Sequence, residues 1–356
     1  MTHFLRDILR QPKELQRTIE FLLGSGAGAL EAAKNSILSA RHVYLTGIGS
    51  SWHAALTAGP LFFAAGHPIY MLDAAELLEF ATIPSDSTVV IISRSGRSIE
   101  IVNLLAKVRG RDVTVVGVTN SQDGPLAREA QISIVVPVEL DHAISVNTYS
   151  TLALAAGILA SAVAGSLDAT LARSLSRAIE RIEPAFADWQ TQIETTQWLS
   201  SGSVYYFLAR GSNMGSCQEA RLLWEEGVKS PATAMNTGSF RHGPQEMVSK
   251  GTRLGVWIDA KHSREQDLAV ARDLRRLGAS VMVLGQELPP DAGDLVLQLP
   301  PVPPAWQFLI DIIPAQLSAE RLSRMSGVDC DSFRYCSFIV EDEYGLLRDD
   351  AKKPSR

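Results

Sequence analysis

Three short runs, "HVYLT" at 42–46, "TVVIIS" at 88–93 and "VTVVGVT" at 113–119, are apolar at nearly every position. A strand with one wet face alternates apolar and polar residues. A run that is apolar throughout must be covered on both faces. Between these runs lie helical segments, "WHAALTAGPLFFAAG" and "SIEIVNLLAKVRG". Strand, helix and strand in that order predict an α/β chain, a parallel sheet between two layers of helices.

The pattern then restarts. Residues 4–22 read as an amphipathic helix interrupted near Pro12, and 27–39 as a second helix. "PIYMLDA" and "ISIVVPV" complete the first strand series, and 168–200 is a charged helical stretch. "VYYFLARGSN", "RLGVWIDA", "VMVLGQE" and "LVLQLP" form a second series. The long helix "AWQFLIDIIPAQLSAERLSRMSG" follows, with Pro314 predicting a kink. The expected organisation is a leading helical segment (1–35), a first α/β domain (36–167), a helical connection (168–200), a second α/β domain (201–340) and a tail (341–356).

Bulk properties narrow the partners. The 356 residues carry a net charge of −6, which argues against a nucleic-acid or anionic-membrane partner. Three cysteines, Cys217, Cys330 and Cys336, lack metal-ligand spacing and suit a reducing cytoplasm. "TLALAAGILASAVAGSL" at 151–167 is shorter than a membrane span needs and reads as a packed core helix whose small residues suit close helix contact.

Three stretches can carry chemistry. In "TGIGSS", 46–51, Gly47 and Gly49 let a backbone approach a ligand, and Ser50 and Ser51 open a helix. The dinucleotide fingerprint fails there, because Trp52 stands where a third glycine belongs. In "SRSGRS", 93–98, Ser93, Ser95 and Ser98 offer three hydroxyls at a strand end, and Gly96 allows an anion-cradling turn. Helix capping accounts for one such serine, not three; Arg94 and Arg97 either add charge or stay solvated. In the third, Glu219 and Glu226 lie two helical turns apart on one face, and "FRHGP" sets His242 on a turn. A carboxylate and an imidazole brought to one cleft can transfer protons.

Together these residues resemble the double sugar-isomerase (SIS) family, over nearly the whole chain. "FLRDILRQP" resembles its leading helix, "GSSWHA" its first substrate loop, "SRSGRS" its phosphate loop and "ISVNTYST" its third loop; "EARLLWEE" resembles its catalytic helix and "FRHGP" its histidine turn. The resemblance implies two SIS-type domains, each a parallel sheet flanked by helices. It implies that Ser50, Ser51, Ser93, Arg94, Ser95 and Ser98 bind a sugar phosphate, with Ala143 and Ser145 in a further ligand loop. Glu226 would be the base between sugar carbons one and two, Glu219 a second glutamate of that helix, and His242 the ring-opening histidine, reaching a neighbouring subunit's site. A cytoplasmic homodimer is expected, with no metal, flavin or nucleotide cofactor.

Two departures shape the expected activity. The N-terminus offers only Met1 or Thr2 where a glutaminase needs a cysteine, so ammonia from glutamine is not expected. "GVDCDSFRYCSFIVEDE" resembles the family tail around Asp329 and Arg334, but Tyr335, Cys336, Ser337 and Phe338 stand where its imine-forming lysine belongs, and Lys352 and Lys353 lie far on. A substrate with its own amine needs no such lysine. The expected reaction is isomerisation or deamination of a hexosamine 6-phosphate, such as glucosamine 6-phosphate to fructose 6-phosphate and ammonia. The alternatives are a non-catalytic phosphosugar sensor and a ketose–aldose phosphosugar isomerase.

Overall fold

The structure, a computed structural model, describes residues 1–343 and 345–346, so Lys352 and Lys353 lie outside the described residues. Two helices lead, α1 (His3–Leu23) and α2 (Ala27–Ser39). The first series is β1 (His42–Thr46), α3 (Ser50–Ala64), β2 (Tyr70–Met71), α4 (Ala74–Glu79), β3 (Ser87–Ser93), α5 (Ile99–Val108), β4 (Val113–Thr119), α6 (Pro125–Glu129), β5 (Ile132–Val135) and α7 (Asn147–Val163). Helices α8 (Ala169–Glu180) and α9 (Ile182–Thr195) connect it to the second. That series is β6 (Tyr205–Ala209), α10 (Asn213–Leu223) with a π-helical turn (Trp224–Val228), β7 (Ala232–Asn236), α11 (Thr237–Phe240), β8 (Arg253–Trp257), α12 (Arg264–Arg276), β9 (Ser280–Gly285), β10 (Leu295–Gln298) and α13 (Ile312–Met325).

Each series makes a five-stranded parallel sheet, in the orders β2-β1-β3-β4-β5 and β10-β9-β8-β6-β7. Numbered within its own half, the second order is the reverse listing of the first, so both sheets share one topology. In such sheets the chain leaves in opposite directions from two neighbouring strands, opening a crevice at their carboxyl ends. Those strands are β1 and β3 in the first sheet, and β6 and β8 in the second. β3 is buried along its whole length, as its unbroken apolar run requires.

Two proline expectations need correction. Helix α1 runs unbroken through Pro12. Proline cannot donate to the carbonyl four residues earlier, Ile8. The side-chain amide of the buried Gln11 donates to that carbonyl instead, at 3.2 Å, which keeps the turn satisfied. Nor does Pro314 kink a long helix. The segment divides before it, into a 3-10 turn (Pro304–Leu309) and α13. Pro314 then falls in the first turn of α13, where a missing N–H costs nothing.

Helix α7 is buried on nearly every side and packs against α1, α2 and α3. Its alanines and Gly157 permit that: a β-carbon on Gly157 would lie 2.8 Å from the Trp306 ring. Among the described residues no helix is long and apolar enough to cross a membrane.

Candidate active site

The β1/β3 crevice opens into a cavity of about 210 Å3. Its wall includes Ser50, Ser51, Ser93, Arg94, Ser95, Ser98, Ala143, Ser145 and Glu226, so nine of the residues singled out in the sequence meet there. Three separate loops and the second domain's first helix supply them.

The loop after β1 turns at Gly49, whose φ of 57° favours glycine. Gly47 serves a different purpose from the one expected. A β-carbon there would lie 2.8 Å from the Ser51 carbonyl and 2.9 Å from that of Ile92, so its bareness lets α3 start against β3 rather than admitting a ligand. The two crevice loops are joined where the Arg94 N–H donates to Ser51 Oγ at 3.2 Å.

In the loop after β3, Gly96 N–H donates to Ser93 Oγ at 3.1 Å and Arg97 N–H to Ser95 Oγ at 3.2 Å. Ser98 holds the N-cap position of α5 but makes no side-chain capping bond. Arg94 turns into the cavity wall and Arg97 to solvent, where it meets the Asp123 carbonyl at 3.3 Å. Burial pushes the Arg94 guanidinium below its ordinary pKa, opposed by the charges of Asp141, Glu226 and Glu219.

The third loop is shaped by Asp141, a residue the sequence reading passed over. Its buried carboxylate accepts from the backbone of Val146, Asn147 and Thr148, each at 2.9 Å, and from the Thr148 hydroxyl at 2.7 Å. It thereby caps α7 and draws Ala143 and Ser145 to the cavity, where Arg94 Nη1 donates to Ser145 Oγ at 3.1 Å.

Glu226 comes from the π-helical turn that ends α10, a distortion frequent at functional sites. Burial first, then the neighbouring charge of Glu219, raises its pKa to about 7; Arg94 and Lys229 pull the other way. A carboxyl poised there takes and returns protons near neutral pH. Lys229, also unforeseen, stands at φ 58° after the turn. Its ammonium donates to the Glu226 carbonyl and, at 2.8 Å, to that of Ser332. Its pKa is lowered, by burial first and then by Arg334.

The remaining expectations land elsewhere. Glu219 does not line the cavity; it is buried behind it, taking bonds from Ser50 and His53. His242 is not brought to this cavity either, lying exposed on the turn after α11. Residues 333–340 of the tail stretch cover one side of the cavity, with Phe333, Cys336, Ser337, Phe338, Ile339 and Val340 in its wall. Val340 is tied down through its carbonyl, which accepts from Ile99 N–H at 3.0 Å.

The matching crevice of the second sheet is furnished differently. After β8, Asp259 accepts from the backbone of Lys261, His262 and Ser263. Arg210, after β6, pairs with the buried Asp267 at 2.8 Å. There the chain's own carboxylates take the backbone donors, where in the first crevice serine hydroxyls take them and keep their own protons. Among the described residues no group of three or more His, Cys, Asp or Glu is placed to hold a metal ion.

The repeated 2-1-3-4-5 sheet makes this a two-unit α/β protein, and residues 36–164 match the family model of the SIS domain. The match covers the first of the two α/β units. Over 353 residues, 96% of its length, it is 25% identical to the glutamine–fructose-6-phosphate aminotransferase [isomerizing] of Pyrobaculum aerophilum, and spans 58% of that protein. In fold it is similar to the C-terminal domain of the Francisella tularensis glucosamine-fructose-6-phosphate aminotransferase, with a TM-score of 0.81 at 21% identity over 92% of this chain and 97% of that one. The Thermotoga maritima glucosamine-6-phosphate deaminase gives 0.79 at 22%, over 95% and 99%.

Proposed function

We propose that the chain is a phosphosugar enzyme that isomerises or deaminates a hexosamine 6-phosphate. The observation that carries this reading is Glu226, with a pKa near 7, in the wall of the same cavity as the Ser93–Ser98 loop. The names of the relatives support it: an isomerizing aminotransferase and a deaminase of six-carbon sugar phosphates.

In this mechanism the phosphate takes hydrogen bonds from the loop hydroxyls and charge from Arg94. With the sugar open, the Glu226 carboxylate removes the proton from carbon two while the carbon-one oxygen takes up a proton from water, leaving an enolamine. Returning a proton to carbon one gives the 2-imine of the ketose. Water adds to carbon two and the C–N bond there breaks, so hexosamine 6-phosphate and water become ketose 6-phosphate and ammonia. The imine nitrogen is the substrate's own, so the Tyr335–Phe338 stretch needs no lysine. A homodimer, with His242 serving the second copy's cavity, belongs to the same proposal. The exposure of its turn is compatible with that role.

The test is incubation with hexosamine 6-phosphates in heavy water. Ammonia release and deuterium uptake at carbon are expected from the wild type and not from Glu226→Gln. The absence of a lysine from the Tyr335–Phe338 stretch favours a second reading, a phosphosugar sensor. Tight binding with neither exchange nor conversion of any phosphosugar would decide for it.

A further inference from the structure

Ser50 is wired in the opposite sense to its neighbours. Ser51, Ser93 and Ser95 each accept a backbone N–H, from Arg94, Gly96 and Arg97. A hydroxyl has one proton to give and two lone pairs to receive with. These three keep their proton for a ligand, as a phosphate oxygen requires. Ser50 instead gives its proton to Glu219 Oε1, at 2.9 Å. The other carboxylate oxygen, Oε2, lies 2.7 Å from His53 Nδ1. A carboxylate only accepts, so both neighbours donate, and the network assigns a proton to Nδ1 of His53.

Both inner members are out of solvent: Glu219 is 1% exposed and His53 4%. Helices α3 and α10 pack closely here, and Gly215 has no room for a β-carbon, which would lie 2.5 Å from the His53 carbonyl. Glu219 thus has little space in which to turn.

We propose that His53 is a positioning residue that fixes the direction of the Ser50 proton. It holds Glu219 so that Glu219 takes that proton, and Ser50 then shows the cavity lone pairs alone. Ser50 selects a ligand carrying a hydrogen-bond donor, a hydroxyl or an ammonium, at that wall. A phosphate oxygen there would set lone pairs against lone pairs. The relay therefore gives the cavity two kinds of hydroxyl, donating ones at Ser51, Ser93 and Ser95 for the anion and an accepting one at Ser50. This inference rests on the phosphosugar reading and adds the orientation of the sugar within it.

Calorimetry tests it with a hexosamine 6-phosphate, the matching hexose 6-phosphate, its single-deoxy analogues and the unphosphorylated sugar. In the wild type, removing one particular donor should weaken binding roughly tenfold, the scale of one lost hydrogen bond. The amine and hydroxyl sugars together show which donor is read. Ser50→Ala should abolish that penalty. His53→Leu should shrink it, and His53→Asn, whose amide can still donate to Glu219, should restore it. In all three variants the ratio of phosphorylated to unphosphorylated affinity should hold. That ratio separates the two failures. Equal affinity with and without phosphate sinks the phosphosugar reading itself. A preserved ratio with a donor penalty indifferent to Ser50 and His53 overturns the relay alone. If His53→Leu does not fold, nitrogen-edited spectra of the wild type decide: a His53 ring protonated only at Nε2 overturns the proposal.

Discussion

The Arg94 guanidinium stacks over the Phe338 ring, 4.0 Å from its centroid, and donates to the Phe338 carbonyl at 2.6 Å. One arginine of the crevice thereby holds the tail stretch against the first domain across 244 residues of sequence. Phe338→Ala removes the ring and leaves the carbonyl. The stacking is worth about 0.5–1 kcal/mol at an exposed site. The variant should loosen the cover, seen as faster hydrogen exchange at the Ile99 amide, which is bonded to Val340. Unchanged exchange there would mean that the stacking does not hold the stretch down.

Ser95→Ala should weaken phosphosugar binding by about 1–3 kcal/mol, the scale of a charged acceptor losing a hydroxyl donor. Its affinity for the unphosphorylated sugar should stay level. Calorimetry with the two ligands reads both, and equal losses for both would show that Ser95 does not touch the phosphate.

The raised pKa of Glu226 makes two linked predictions about pH. As a base it must be ionised, so kcat/KM should climb with pH through about 7. Glu226→Gln should cut turnover by ~10²–10⁴-fold and remove that limb. Stability runs the other way. The folded state holds the Glu226 proton more tightly than the unfolded chain does, so this stabilisation is complete below 4.5, the ordinary glutamate value, and fades as pH rises through about 7. Glutamine never ionises. The Tm of Glu226→Gln minus that of the wild type should therefore be larger at pH 8 than at pH 5, as paired thermal melts would show.

Gln11 binds three partners at once: the Ile8 carbonyl, Gln316 Oε1 at 2.7 Å and the Ser150 hydroxyl at 2.6 Å. It joins α1, α7 and α13 and repairs the gap left by Pro12. Gln11→Leu strands those buried groups, at about 1–3 kcal/mol for an unsatisfied one. Denaturant unfolding should show at least that loss. Restoring a donor to the helix with Pro12→Ala should recover part of it.

What was legible in the sequence was what local pattern dictates. Val89 to Ile92 are buried because a run without polar members has nowhere else to go, and the serines after it face the cavity because strand ends point there. Glu226 was placed by its heptad spacing from Glu219, although the helix leaves the α form between them. His53 was missed, yet it follows Ser50 by three residues, the spacing of one helix face. The cover at Phe338 had no local signal, since nothing near Arg94 in sequence says which distant segment will meet it; only the resemblance of the tail stretch set it near the site. Pro12 was misjudged because its remedy, Gln11, is a side-chain bond that periodicity does not register.

Asp259 and Asp267 give the duplicated topology an arithmetic of its own. Two crevices of the same design share one chain, and one of them is already neutralised from within. Counted by folds, the chain has capacity for two anions; counted by unspent donors, it has capacity for one. A phosphosugar titration should accordingly saturate at one equivalent per chain. The second half is then free to act as a tool of the first: its leading helix reaches across to deliver Glu226, and the stretch that follows its last helix closes the vessel it does not fill.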